Sequence, residues 1–291
     1  MTDCVFGGRA AVFTNMKIRQ KRELAFSAAS VLRECGLRVR LPEFGADGQT
    51  ESPSGPGYEF CEKSELFRDI SAAVVIGGDG TILEAAKYLC GTGIPIIGIN
   101  MGRVGYMTEL EPDELPLIRK LLSGEGRTEK RSTLALSVDG ETKESLTALN
   151  DIVVTNSAAS QVIDISISEN GSPAGRYRAD GIIFSTATGS TAYNLAAGGP
   201  VVDPRLSCIV VTPICPHTFF SRPNVFPGES KLDVSLEGFR GQSVHIILDG
   251  RLCEKAGRKN RLTVTVSDKT VDFLRIKPMK FYQTLHRTND F

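Results

Sequence analysis

Residues 72–99 read AAVVIGGDGTILEAAKYLCGTGIPIIGI, and this stretch decides the fold of the N-terminal part of the chain. Residues 72–76 are short and fully apolar, which predicts a buried β-strand, and residues 81–89 predict a helix. Residues 94–99 predict a second apolar strand. A strand, a turn, a helix and a strand in so short a stretch form a βαβ unit. Such a unit implies parallel strands that are buried on both faces.

The same alternation extends towards the N-terminus. Residues 10–13 predict a first strand, and residues 17–35 carry apolar side chains at helical spacing. Gly36 marks the end of that helix. Residues 37–41 predict an edge strand, and residues 45–57 predict a loop because they are rich in Gly, Ser, Pro and Asp. The N-terminal part is therefore predicted to be an α/β domain.

The pattern changes after one more predicted helix, which follows Pro112 and ends near Leu122. From residue 131 to residue 267 the chain is mostly short β-type runs, some of them separated by turns such as Asp139-Gly140 and Asn170-Gly171. This second part is predicted to be largely β. Residues 279–287 at the end of the chain predict a helix.

Composition excludes several classes of protein. The 291 residues suffice for two ordinary domains, and 34 basic residues balance 34 acidic ones. A net charge of zero argues against a protein that coats nucleic acid or an anionic membrane. No apolar run approaches the roughly 20 residues of a membrane-spanning helix, and the N-terminus predicts no secretion signal. Seven scattered cysteines predict reduced thiols in the cytoplasm, and three unclustered histidines argue against a zinc site.

The turn Gly77-Gly78-Asp79-Gly80-Thr81 is the sharpest chemical feature. Its glycines let the backbone come close to a ligand, and the following helix points its N-terminus at the same place, so a phosphate site is predicted. A carboxylate beside phosphate is repelled unless it accepts a hydroxyl proton or helps to hold a cation. The structural alternative is that Asp79 caps the helix. The chain has neither a P-loop motif nor the motifs of protein kinases.

A second group of polar residues lies in the β-rich part. Asn150-Asp151 and Asp180 each precede an apolar run, and Thr188-Gly189-Ser190-Thr191-Ala192-Tyr193-Asn194 follows the second of these runs. Carboxylates can accept hydrogen bonds from ribose hydroxyls, and an asparagine can both donate to and accept from a nucleobase edge. The alternative is two turns before strands plus a helix cap at Ser190 or Thr188. Together with the glycine turn, these residues suggest a ligand with phosphates, riboses and a base.

Taken in order, these motifs resemble the NAD kinase family. The glycine turn alone also resembles that of lipid kinases and phosphofructokinases, so the ordered set carries the resemblance. The matching segments are Gly77-Gly78-Asp79-Gly80-Thr81, Gly98-Ile99-Asn100 with Gly102 and Gly105, Asn150-Asp151, Asp180-Gly181, Thr188 to Asn194, Thr212 to His217, and Asp249-Gly250.

The resemblance implies a fold and an activity. The expected fold is an α/β domain with a Rossmann-like parallel sheet in residues 1–125, completed by residues 270–291. A mostly-β, sandwich-like domain that binds the dinucleotide is expected in residues 126–269. The expected activity is transfer of the terminal phosphoryl group of ATP, with a divalent cation such as Mg²⁺, to the 2′-hydroxyl of the adenine-side ribose of NAD. A homodimer or homotetramer is also implied.

The resemblance further implies roles for individual residues. Asp79 would be the catalytic base that accepts the hydroxyl proton. Phosphate binding would fall to Gly77, Gly78, Gly80 and Thr81. NAD binding would involve Asp79, Gly80, Asn150, Asp151, Arg178, Asp180, Thr188, Thr191, Ala192, Tyr193, Asn194 and Ala196.

Two alternatives stay open at this point. A lipid or sugar kinase could share the glycine turn. A regulatory protein could bind NAD or NADP without catalysis, although such a protein gains nothing obvious from a carboxylate in a phosphate turn.

Overall fold

The chain consists of two compact units, Met1–Lys130 with Val271–Phe291, and Arg131–Thr270. The computed structural model describes residues 6–44, 55–102, 105–156, 162–217, 221–238, 243–278 and 281–288. Most of the loop predicted at residues 45–57 lies outside these ranges. The predicted assignment of dinucleotide binding to the second unit stays a prediction.

The first unit is built on a parallel sheet. Its strands are β1 (Arg9–Phe13), β2 (Arg38–Pro42), β3 (Tyr58–Cys61), β4 (Ala72–Ile76) and β5 (Ile96–Ile99). They lie in the order β3-β2-β1-β4-β5, and every pair is parallel. The chain therefore moves outward from β1 to β3 and then returns to the other side of β1. The gap between β1 and β4 is the topological switch point, where open α/β sheets bind their ligands.

Two helices of the first unit match the apolar spacing in the sequence. Helix α1 (Arg19–Glu34) buries Ala25, Ala28, Ala29 and Leu32, and helix α2 (Asp79–Leu89) buries Ile82, Ala85, Ala86 and Leu89. The helix predicted after Pro112 is broken instead. A 3₁₀ turn (Pro112–Glu114), the short helix α3 (Leu117–Lys120) and a π-helical turn (Leu121–Glu125) follow one another. Gly124 lies in the left-handed region (φ 90°), which prevents a regular helix there.

The second unit is almost entirely β. Its strands are β6 (Arg127–Val138), β7 (Glu141–Ala148), β8 (Asp151–Asn156), β9 (Ile163–Glu169), β10 (Ser172–Ala179), β11 (Gly181–Ser185), β12 (Cys208–Ile214), β13 (Asn224–Pro227), β14 (Leu232–Glu237), β15 (Val244–Leu248), β16 (Arg251–Ala256) and β17 (Leu262–Arg275). One end of β6 and one end of β17 belong to the first unit. A 3₁₀ turn (Thr188–Thr191) and the short helix α4 (Tyr193–Ala196) interrupt them.

These strands form two layers around one core. One sheet has the order β13-β12-β11-β8-β15-β16, and the other contains β10-β9-β14-β17, with β6 paired to β17 and β7. Ile152 and Phe184 of the first sheet and Ile165 and Leu236 of the second belong to the same buried apolar cluster. The predicted fold class, an α/β part followed by a mostly-β, sandwich-like part, is confirmed.

The end of the chain returns to the first unit. The β-type runs were predicted to end at residue 267, but strand β17 extends to Arg275, and Phe273 lies opposite Ile96 in parallel pairing with β5. Helix α5 (Phe281–Thr288) agrees with the predicted C-terminal helix over the residues described. Among the helices of the described segments, none combines the length and apolar character that crossing a bilayer requires.

Candidate active site

The Gly77–Thr81 turn connects the carboxyl end of β4 to the first turn of α2. A Cβ atom at Gly77 would lie 2.3 Å from the Thr81 hydroxyl oxygen, so only glycine fits there. A Cβ at Gly78 or Gly80 would meet nothing within 4 Å among the described residues. Local packing therefore does not require glycine at these two positions. They leave the backbone at the N-terminus of α2 open to close approach.

The Asp79 carboxylate is held by two backbone amides. Its Oδ2 accepts a hydrogen bond from Tyr106 N at 3.0 Å, and its Oδ1 accepts one from Met107 N at 3.1 Å. The N-cap of α2 is Gly78, so the alternative in which Asp79 caps the helix is wrong. Asp79 is half-buried, and each of its oxygens keeps acceptor capacity. The side chain is thus fixed in place and still able to accept a proton.

Gly105 allows this arrangement. A Cβ atom at Gly105 would lie 2.6 Å from Asp79 Oδ1 and 3.2 Å from the Thr108 hydroxyl oxygen. Gly105, the last residue of the Gly98–Gly105 motif, thereby supplies a backbone that passes directly against the carboxylate. The sequence pointed to this motif only through the family resemblance.

A cleft of about 860 Å³ in the first unit was missed from the sequence. It lies beside the carboxyl ends of β1, β2 and β3 and the first turn of α2, next to the switch point. Its lining includes Thr14, Lys17, Lys21, Lys63, Gly80 and Thr81. Lys63 forms an ion pair with Glu84, while the ammonium groups of Lys17 and Lys21 have no ion pair among the described residues. The sequence feature that could have indicated this cleft is the basic stretch from Lys17 to Arg22. Such a stretch is usually interpreted as a solvent-exposed helix face.

In the second unit, the Asn150-Asp151 segment is held by a carboxylate. Asp249 accepts hydrogen bonds from the backbone N–H groups of three consecutive residues: Leu149 at 3.0 Å, Asn150 at 2.7 Å and Asp151 at 3.2 Å. Asp249 lies in the turn between β15 and β16 with φ 47°. The Asp249-Gly250 motif therefore contributes a structural acceptor to the segment.

Asn150 and Asp151 present polar groups that the described residues do not satisfy. Asn150 Oδ1 is buried and has no hydrogen-bond donor. Desolvation first, and the neighbouring Asp249 second, raise the pKa of Asp151 to about 7. Burial also raises the pKa of Asp249, but its three N–H donors oppose that shift. A proton is thus held more readily on Asp151. An unsatisfied buried acceptor destabilises the protein, so a ligand donor here would be favourable.

The Thr188–Ala196 segment packs directly against Asn150. A Cβ atom at Gly189 would lie 2.1 Å from Asn150 O, and the Thr186 hydroxyl donates to Leu149 O at 2.7 Å. The residues before the two short helical turns are Ala187 and Ala192, so Thr188 and Ser190 are not helix caps. The structure therefore brings Asn150, Asp151 and Thr188 together.

Asn194 differs from its neighbours in this segment. Its side chain is fully buried, donates to Ser190 O and Pro200 O at 3.0 Å each, and accepts from the Thr212 hydroxyl at 2.6 Å. Tyr193 is 45% exposed, Ala196 is exposed, and Thr191 and Ala192 are half-buried. Asn194 thus stabilises the segment from within, while its neighbours remain accessible.

Arg178 and Asp180 lie elsewhere in the second unit. In the pairing of β11 with β8, Gly181 lies opposite Thr155 and Ser185 lies opposite Asp151. Asp180 is therefore at the other end of β11 from Asp151, roughly 17 Å away along the strand at 3.4 Å per residue. His217 lies next to both residues, because its backbone N–H donates to Arg178 O at 2.7 Å and its Nε2 is 3.8 Å from Asp180 Oδ1.

These features define a class of protein. A glycine turn at a helix N-terminus, with a fixed and accessible carboxylate, is the site of an enzyme that transfers phosphoryl groups. The family model of the ATP-NAD kinase N-terminal domain matches residues 46–125, and that of the C-terminal domain matches residues 149–276. A NAD kinase from Moorella thermoacetica is 36% identical over 279 residues, which cover 94% of this chain and 86% of that protein. The chain belongs to the NAD kinase family.

Solved structures agree with this assignment. A NAD kinase from Archaeoglobus fulgidus in complex with ATP has a TM-score of 0.73 and 27% identity, over 97% of this chain and 98% of that one. Yeast NADH kinase complexed with NADH has a TM-score of 0.85 at 20% identity, over 99% of this chain and 88% of that one. The yeast structure supports the fold alone.

Proposed function

We propose that this chain transfers the terminal phosphoryl group of ATP to the 2′-hydroxyl of the adenine-side ribose of NAD, with Asp79 as the proton acceptor. The observation that supports the role of Asp79 is that the Tyr106 and Met107 amides fix its carboxylate while the side chain remains partly exposed. A ribose hydroxyl is a weak nucleophile, so a fixed carboxylate within its reach raises the rate of attack. Family membership favours NAD over the lipid or sugar acceptor and favours catalysis over binding alone.

The phosphates of the substrates are proposed to bind at the first turn of α2. Gly78 and Gly80 supply backbone amides and a positive helix end there. Gly77 and Thr81, also predicted from the sequence to bind phosphate, are proposed to shape the turn, because their N–H groups already donate to Ile99 O at 3.0 Å and Gly78 O at 2.9 Å. The adjoining cleft, with Lys17 and Lys21, is proposed to take the triphosphate of ATP, because open α/β sheets bind ligands at this position. Positioning and charge neutralisation supply most of the catalysis in phosphoryl transfer.

A divalent cation such as Mg²⁺ is proposed to be held mainly by the phosphates. Among the described residues, no three His, Cys, Asp or Glu side chains lie close enough to hold a metal ion. The side chains of the described residues therefore do not form a metal site by themselves. Magnesium commonly binds through substrate phosphates with one or two carboxylates.

The dinucleotide is proposed to bind through residues of the second unit. Asn150 Oδ1 suits a donor on the base, and Asp151 suits a ribose hydroxyl. Accessible groups of Thr191, Ala192, Tyr193 and Ala196 are proposed to contact the adenosine part. Thr188, also predicted from the sequence to bind NAD, is proposed to support them, because it is buried and its hydroxyl oxygen accepts a hydrogen bond from Arg131 Nη1 at 3.2 Å. Asn194, also predicted from the sequence to bind NAD, is proposed to support this segment, because its side chain is bonded internally.

Arg178 and Asp180 are proposed to bind a dinucleotide held by a second copy of the chain in a homodimer or homotetramer. Their position at the far end of β11 from Asp151 supports this. Mixing Asp79→Asn and Asp180→Ala subunits would then restore activity that neither variant has alone, and no restoration would argue against it. Cytoplasmic localisation stays a prediction from the cysteines.

The test of the proposed function is NADP formation from ATP and NAD by the wild type and the Asp79→Asn variant. The variant keeps the size of the side chain but lacks the base, so kcat is expected to fall by about 10²–10⁴-fold. Asparagine offers one acceptor oxygen to the Tyr106 and Met107 N–H groups, so a modest fall in the melting temperature is also expected, and kcat is measured well below that temperature. Near-normal turnover in the variant would remove Asp79 from the mechanism.

A further inference from the structure

Arg275 at the end of β17 is bonded to the backbone that holds Asp79. Its side chain is buried, and its Nη1 donates a hydrogen bond to Met107 O at 2.9 Å. We propose that Arg275 is a positioning residue for phosphoryl transfer, which acts by fixing the amides that bind the Asp79 carboxylate. This inference rests on the proposed role of Asp79.

Met107 is the link between the two side chains. Its N–H group donates to Asp79 Oδ1, and its C=O group accepts from Arg275. Both peptide groups of this residue are thereby fixed, one towards the carboxylate and the other towards the guanidinium. A shift of the Met107 backbone would move a hydrogen-bond donor of Asp79. Displacements of about 1 Å in an active site can lower turnover 10²-fold.

The Arg275 guanidinium is itself held on several sides. Glu109 Oε2 lies 3.4 Å from Nη1, and Glu129 Oε1 lies 3.4 Å from both Nε and Nη2. The guanidinium carbon also lies 4.9 Å from the centre of the Phe273 ring. A planar group with five donors can serve these acceptors together, which a lysine ammonium cannot do with the same geometry.

Hydrogen bonds in the opposite direction join the same two segments of the chain. Glu109 Oε1 accepts hydrogen bonds from Ile276 N at 2.7 Å and Lys277 N at 2.6 Å. Residues 107–109 and 275–277 are therefore bonded in both directions. A buried charge carries a desolvation penalty that apolar packing would avoid, so a guanidinium here indicates a need for defined geometry.

The experiment compares Arg275→Met with Arg127→Met in steady-state assays of NADP formation. Arg127 is a matched control, because its Nη1 also donates to a backbone carbonyl, Lys277 O at 2.8 Å, but it is exposed. Arg275→Met is expected to lower kcat by about 10–100-fold with the KM for NAD within about threefold. Arg127→Met is expected to leave both constants within about twofold.

The same substitution in the Asp79→Asn background separates positioning from general support of the fold. If Arg275 acts through Asp79, Arg275→Met is expected to lower the remaining activity by less than about threefold. Should Arg275→Met not fold, Arg275→Lys takes its place in both backgrounds. It retains the charge, and it is expected to lower kcat about tenfold in the wild type only.

Two results would overturn the inference while leaving the proposed function intact. One is full kcat in the Arg275 variant, and the other is an equal loss in both backgrounds. An active Asp79→Asn enzyme would instead overturn the proposed function, and the inference with it.

Discussion

The two units hold their predicted site residues in opposite ways. In the first, backbone amides of Tyr106 and Met107 hold a side-chain carboxylate, that of Asp79. In the second, a side-chain carboxylate, that of Asp249, holds the backbone at Asn150 and Asp151. Both arrangements use hydrogen bonds from N–H groups to a charged oxygen, which are stronger than neutral ones.

The two carboxylates differ in their remaining capacity to accept hydrogen bonds. Asp79 accepts one bond at each oxygen and is half-buried, so it can still bind a substrate proton. Asp249 is also half-buried, but it accepts three backbone bonds from the segment it supports. The number of backbone donors thus distinguishes a carboxylate suited to catalysis from one suited to support. This contrast leads to three expected results, each on a different quantity.

The largest expected effect is on stability, from Asp249→Ala. Three backbone N–H groups would lose their acceptor, and an unsatisfied buried donor costs about 1–3 kcal/mol. The free energy of unfolding is expected to fall by about 3–5 kcal/mol in denaturant titrations. The KM for NAD is expected to rise as the Asn150-Asp151 segment loosens.

Asp139→Ala is the matched control for this substitution. Asp139 is also followed by glycine in a turn, with φ 53°, and accepts a bond from Arg261 N at 2.8 Å. It is fully exposed, so water can replace its side chain and a much smaller loss is expected. Equal losses in the two variants would contradict a special role for Asp249.

These two Asp-Gly turns show what the sequence can reveal. Both can be predicted as turns, because aspartate and glycine tolerate left-handed backbone conformations. Their surroundings cannot be predicted in this way, since the residues that Asp249 binds lie about 100 positions earlier in the chain. The Gly77–Thr81 turn was readable because strand, turn and helix are consecutive. The amides that hold Asp79, and the cleft at the switch point, depend on strand order and long-range packing.

The second expected effect concerns the pH dependence of stability, through Asp151. Its pKa is about 7 in the folded protein against 3.8 as the ordinary value. The unfolded state therefore loses this proton first, and the stability contributed by protonated Asp151 is lost as pH rises towards 7. From pH 5 to pH 8 the wild type is expected to lose about 2–3 kcal/mol relative to Asp151→Asn.

Denaturant titrations of both proteins at pH 5, 6, 7 and 8 measure this difference. The asparagine variant is nearly isosteric and does not titrate, so it isolates the contribution of this one carboxyl group. Parallel pH profiles for the two proteins would show that Asp151 is ionised in the folded state across this range. The pKa of Asp151 would then lie below this range, so its burial and, second, the neighbouring Asp249 would raise it less than expected.

The smallest expected effect is on turnover, and it tests the first unit through Gly105→Ala. The new Cβ atom would lie 2.6 Å from Asp79 Oδ1, so the carboxylate or the 105–107 backbone must shift. We expect kcat to fall by about 10–100-fold with little change in the melting temperature, because the displaced group is half-buried. Gly7→Ala is the control, since a Cβ there meets nothing within 4 Å among the described residues.

The counterpart in the second unit is Gly189→Ala, whose Cβ would lie 2.1 Å from Asn150 O, and it is expected to lower stability more than kcat. If both alanine variants lost stability and turnover in the same proportion, the two ways of holding the site would not be functionally distinct.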